Sequence, residues 1–142
     1  MGRIKITCED PVHGWLPIRL VVDGQVIDIV SSDVPNNPVQ DLVDALDAVL
    51  KGSTAKVFWP LEPGSYLFSF LPSEDRVQFS VSLAENDEIR HKNLVSIDAS
   101  RDEILLPLWR FVRNFQSRNY EEPHWPAIDG RHMESIRASL RN

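Results

Sequence analysis

The chain has 142 residues, 42% of them hydrophobic and 25% charged, the balance of one ordinary globular domain. Its net charge of −6 is unevenly laid down: residues 1–100 carry 15 acidic against 8 basic groups, and residues 101–142 carry 6 against 7. Phosphate-tracking proteins need basic surfaces that release counterions, so this balance argues against nucleic-acid binding, while long-range steering favours a basic protein partner.

A single cysteine, Cys8, rules out an internal disulfide and reads as a small buried residue of a first strand. The start, MGRIKITCEDP, lacks the apolar run of a signal peptide, and Ile6 stands where a myristoylation motif after Gly2 needs Ser or Thr. No stretch approaches the roughly 18 apolar residues of a membrane span. The expected compartment is the cytoplasm, with no membrane contact.

Residues 3–8 alternate as a short strand. Leu16, Ile18, Leu20 and Val22 then alternate up to Asp23-Gly24, and QVIDIV follows. Asp-Gly between two such runs predicts a hairpin with a type I′ turn. Pro17 lacks an N–H, which places its strand at an edge or a bulge. Asn37 is an N-cap, Pro38 fits the first helical position, and Gln40 is set to complete a capping box. Val39, Leu42, Val43, Leu46, Val49 and Leu50 make one apolar stripe, so the spacing predicts a helix over 38–51, stopped at Gly52.

Strands follow at 55–60, 65–71, 76–83 and 93–99, separated by Glu62-Pro63-Gly64, by Pro72 to Asp75 and by a charged turn from Glu85 to Glu88. Ser100 and Glu103 form a second capping box. Ile104, Leu105, Leu108, Trp109, Val112 and Phe115 are its buried stripe, with Pro107 predicting a kink or a tight first turn before a main helix over 107–119. The expected fold is α+β in the order β-β-β-α-β-β-β-β-α: one antiparallel sheet of six or seven strands, with two amphipathic helices on one face. Residues 1–120 form the domain. Residues 121–142 are a C-terminal extension packed on it, with a short helix over 131–140 resting on Met133, Ile136 and Leu140.

Phosphate-loop, dinucleotide and nucleophile-elbow patterns are all absent, and no catalytic motif or cofactor is expected. His13, His91, His124 and His132 show no short metal-ligand spacing, so no metal site is expected. Asp41, Asp44 and Asp47 recur at i, i+3 and i+6 on the outer side of the first helix. They read as a solvated face or as a docking stripe for a basic partner, extended by Asp33 and Asp28. Trp125, between two prolines, either pins the tail to the domain or serves as an exposed anchor; a groove shared by Trp15, Trp59 and Trp125 is the wider version. Arg110 and Arg113 lie opposite the apolar stripe, and their pairing with the acidic half of another copy would give a homodimer.

The layout resembles small bacterial proteins of the toxin-immunity kind: single acidic α+β domains that act by covering a partner. That resemblance, which lies in the layout and carries over no residue, implies a non-enzymatic binding domain of the immunity-inhibitor type; the charge pattern adds a basic protein partner and the contact candidates Asp33, Asp41, Asp44, Asp47 and Trp125. The alternative is a small-molecule-binding domain or small enzyme with a pocket between sheet and helices, lined by Glu62, His91, Asp98 and His124.

Overall fold

A computed structural model of the chain describes residues 3–85, 90–118 and 124–140. Among them seven strands and three α-helices run in the order β1 (Ile4–Cys8), β2 (Trp15–Val22), β3 (Gln25–Ser32), α1 (Pro38–Leu50), β4 (Ala55–Pro60), β5 (Ser65–Ser73), β6 (Arg76–Ala84), β7 (Lys92–Ser100), α2 (Arg101–Ser117) and α3 (Met133–Leu140). The fold is α+β, and every ladder is antiparallel. The charged turn after Glu85, Pro123, residue 119 and the boundary at 120/121 lie outside the described residues.

The seven strands do not form one sheet. They divide into β1-β2-β3 and β4-β5-β6-β7. The crossover through α1 brings the C-terminal ends of β3 and β4 together, where the Ser31 hydroxyl donates to the Pro60 carbonyl at 3.3 Å. Pro60 has no N–H with which to extend that contact into a ladder. Each sheet gives one face to a common core: Leu16, Ile18, Leu20 and Ile29 from the first, Trp59, Phe68, Phe70 and Phe79 from the second. α1 lies against β4 and β5, α2 lies against β1, β6 and β7, and the two helices touch.

Local chemistry accounts for most of these elements. Asp23 (φ 48°) and Gly24 (φ 85°) both take positive φ, as the type I′ turn requires. Pro17 sits in the central strand of its sheet rather than at an edge, but β1 pairs only from Ile18 onward. Its carbonyl accepts from Glu9 N–H, so its missing donor points to the same side, just past the end of that ladder. α2 runs unbroken through Pro107. A complete capping box at Ser100 and Glu103 starts it, and Ile104, Leu105 and Leu108 bury both flanks of the proline. That burial, at ~1.5–3 kcal/mol per large apolar side chain, outweighs the roughly 3 kcal/mol cost of an interior proline.

The tail closes the structure. α3 buries Met133, Ile136 and Leu140 against α1 and α2. Trp125 is 0% exposed, and its indole N–H donates to Asn37 Oδ1 at 3.0 Å. The same oxygen accepts from Val39 N–H and Gln40 N–H at the start of α1. Gln40 does not reach back to complete a capping box. Its amide instead clamps the tail, accepting from Asp129 N–H at 2.6 Å and donating to Asp129 O at 3.4 Å.

Trp125→Phe removes the indole donor and keeps most of the buried ring, so it should cost about 1–2 kcal/mol in urea denaturation. Trp125→Ala should cost about 3–5 kcal/mol. A double-mutant cycle of Trp125→Phe with Asn37→Ala is expected to show a coupling of about 0.5–1.5 kcal/mol. Additive losses would mean that the shared oxygen contributes nothing.

Candidate functional site

α3 decides which of the acidic residues are free. An i+3 step on a helix falls about 60° short of a full turn, so Asp47 is rotated by roughly 120° from Asp41. The three aspartates therefore do not form a straight row, and Asp47 turns toward α3, where it is 6% exposed. Its carboxylate lies 2.8 Å from Lys51 Nζ and 3.3 Å from His132 Nδ1. Burial alone would raise its pKa. Hydrogen bonds from Lys51 and Ser135, with the charges of His132 and Lys51, instead hold it below the ordinary aspartate value. Asp47 is thus a structural group that joins α1 to α3, and buried Trp125 pins the tail and offers no surface. Trp59 is also 0% exposed, so the three tryptophans line no common groove.

Asp33, Asp41 and Asp44 remain. Between Arg19 and Lys51 the chain has six aspartates and no lysine or arginine. Arg3, Arg19 and Lys51 reach Asp23, Asp28 and Asp47 from outside or from the ends of that window. Asp33, Asp41 and Asp44 have no lysine or arginine partner among the described residues; His132 Nε2 is 4.0 Å from Asp44. Asp44 is exposed, while Asp33 and Asp41 are half-buried. Partial burial raises the Asp41 pKa, a hydrogen bond from Asn36 opposes this, and the charge of Asp44 adds to the rise.

Asp33 adjoins an exposed apolar face. On the outer side of the first sheet, Pro17 pairs with Val30 and Val21 with Val26, and the Arg19–Asp28 ion pair lies between the two rows. Trp15 heads the same face, 39% exposed, and Val12, Val26, Val30 and Val34 are each more than half exposed. Hydrogen bonds tie this face to Asp33. Val12 bridges Trp15, Trp15 pairs with Ser32, the Ser32 hydroxyl accepts from Val34 N–H, and Asp33 N–H donates to Gly14 O. Gly14 (φ 83°) also makes room for the Asp33 carboxylate, since a Cβ there would stand 3.0 Å from Asp33 Oδ1. Asn36 donates to both Asp41 and the carbonyl of exposed Phe58. An apolar, aromatic centre beside a charged rim is the anatomy of a protein interface.

The alternative pocket set does not converge. Glu62 is exposed in the β4–β5 turn, with φ 52°. His91 is at the same end of that sheet, 2.9 Å from the Ser65 hydroxyl and edge-on to Phe58. Asp98 is six positions beyond Lys92 on β7, roughly 20 Å away along the strand, and is paired with Arg76. His124 lies against the β1–β2 loop, where its Nδ1 accepts from His13 N–H at 3.1 Å and the two rings are 4.7 Å apart. Between sheets and helices, the expected place of the pocket, the buried side chains of Trp59, Phe68, Phe79, Leu108 and Phe115 fill the core. Among the described residues no three His, Cys, Asp or Glu side chains gather as a metal site.

The depressed Asp47 pKa carries a sign. Its contribution to stability is full above the ordinary aspartate value and is lost as pH falls through the lower folded value. Asp47→Asn should therefore lower stability by about 1–3 kcal/mol at neutral pH. It should also flatten the fall of Tm on the acid side, and Tm measured against pH for both proteins checks this.

No protein-family model matches the chain, and no curated protein matches it. In three dimensions it aligns with a chain of the CdiA-CT/CdiI toxin and immunity complex from Enterobacter cloacae, with 9% identity and a TM-score of 0.47, over 80% of this chain and 99% of that one. A likeness of that size carries no argument about what this chain does.

Proposed function

We propose that the protein is a non-enzymatic binding domain that occludes a basic protein partner, in the manner of an immunity-type inhibitor. The observation that carries this reading is an exposed apolar face that meets Asp33, in a fold whose Asp33, Asp41 and Asp44 have no lysine or arginine partner among the described residues. The apolar centre around Trp15, Pro17, Val30 and Val34 supplies contact area. Asp33, Asp41 and Asp44 supply steering and register. Charges at a rim mainly raise the association rate and impose salt dependence, whereas a central aromatic contributes most to affinity.

Asp41 adds a specific reason for a cation. It is partly desolvated beside a second carboxylate, which is why its pKa is raised. A lysine or arginine of the partner placed there would relieve that repulsion, so part of the binding energy comes from a cost already present in the free domain.

The experiment is capture from native-host lysate at low and high salt, with three immobilised proteins: wild type, Asp33→Asn/Asp41→Asn/Asp44→Asn, and Trp15→Ala. Wild type should retain a basic protein at low salt and lose most of it at high salt. The triple variant should bind more slowly and with less salt dependence, and Trp15→Ala should weaken binding by about tenfold, the equivalent of ~1.4 kcal/mol. Equal capture by all three proteins would dismiss this face. The absence of any basic protein at either salt would dismiss the reading.

A further inference from the structure

Arg3, Arg19, Arg76, Arg118 and Arg131 each meet an aspartate at 2.6–2.8 Å. Arg110 and Arg113 differ from these: among the described residues neither has a carboxylate partner. They lie three positions apart on the exposed side of α2, so they are neighbours. Together with Arg137 of α3 they line a depression of about 470 Å³, whose other walls are Leu106, Trp109 and Leu140. Among the described residues no carboxylate lines it, and Arg137 has one acidic neighbour, Glu134, at 3.5 Å.

Three guanidiniums beside one hollow repel one another, and a bound anion would reverse the sign of that interaction. The geometry also selects among anions. Each guanidinium is a planar fork of N–H donors that cannot be deprotonated. A carboxylate has two oxygens and one charge, too few for three forks. A phosphate monoester has three terminal oxygens and close to two charges, one oxygen for each fork. Half-buried Leu106 would meet the apolar part of an ester, with the edges of buried Trp109 and Leu140 behind it. We propose that the depression between α2 and α3 is a binding site for a small organic phosphate monoester, held by Arg110, Arg113 and Arg137. The site uses other residues than the acidic face and stands independently of the function proposed above.

The test is titration of the full chain with phenyl phosphate at fixed ionic strength, following the arginine Nε–H resonances by NMR, with benzoate and inorganic phosphate in parallel. Saturable shifts at Arg110, Arg113 and Arg137 are expected for phenyl phosphate, with a Kd of about 1 mM or tighter and weaker binding of the other two anions. Arg113→Gln should weaken binding about tenfold, and Arg113→Lys, which keeps the charge but loses the fork, should weaken it nearly as much. Arg113 is exposed, so both variants should keep the wild-type Tm. Asp44→Asn should bind as wild type does. Linear shifts, equal shifts with benzoate, or wild-type affinity in Arg113→Lys would overturn the proposal, because each describes diffuse attraction rather than a site.

Discussion

One carboxamide oxygen organises the helical side of this protein. Asn37 Oδ1 takes two backbone N–H groups from the first turn of α1 and the indole N–H of Trp125, 88 residues away in sequence. The first two bonds start the helix. The third fixes the tail across its N-terminus, and Gln40 repeats the contact at Asp129. Once the tail is held there, α3 lies along α1 and His132 meets Asp47. A long loop costs little more to close than a short one, so a few well-made bonds and three buried apolar residues suffice to hold a distant segment.

That arrangement sorts the aspartates of α1 into two kinds. Asp47 is covered, paired and held ionised, so it belongs to the packing of α1 on α3. Asp41 and Asp44 lie nearer the N-terminus of the helix, and Asp41, in the first turn, is favoured there by the helix dipole. The fold thus tolerates two adjacent carboxylates without a lysine or arginine, at some cost to Asp41. The arginines of α2 and its C-cap are sorted in the same way: Arg118 is tied to Asp10 and to the carbonyl of Cys8, while Arg110 and Arg113 have no carboxylate partner among the described residues.

Elements with local causes were legible in the sequence. The Asp23-Gly24 turn, the α1 stripe from Val39 to Leu50, the capping box at Ser100 and the alternation of β6 depend on neighbours in the chain, and the structure carries all of them. What was not legible depends on partners far away. The break between the two sheets follows from how the β3 and β4 ends meet at Ser31 and Pro60. The burial of Trp125 follows from Asn37, and that of Asp47 from a helix near the other end of the chain. The i, i+3, i+6 spacing could reveal half of the last result, since its drift around the helix separates Asp47 from Asp41 before any tertiary contact is known. The window without a cation from Arg19 to Lys51 was also in plain sequence. It marks the open acids better than their helical spacing does, because a carboxylate without a local counter-charge must find one at a distance or remain open.

An exposed sheet face with Trp15, Val26 and Val30 would ordinarily invite a second copy. Two features work against that here. The Arg19–Asp28 pair sits between the two apolar rows, so flat burial of the face would have to desolvate it. A symmetric contact through this face would also bring Asp33 toward the same acid of the mate, in a chain whose net charge is already −6. The other pairing, α2 arginines of one copy on α1 acids of the next, closes as a two-fold dimer only where both surfaces meet the mate at once, and otherwise runs head-to-tail. A basic partner would still have to desolvate that pair, but it would bring cations rather than a second set of acids. The acidic balance that argues against nucleic acid thus also argues against pairing this face with its own copy.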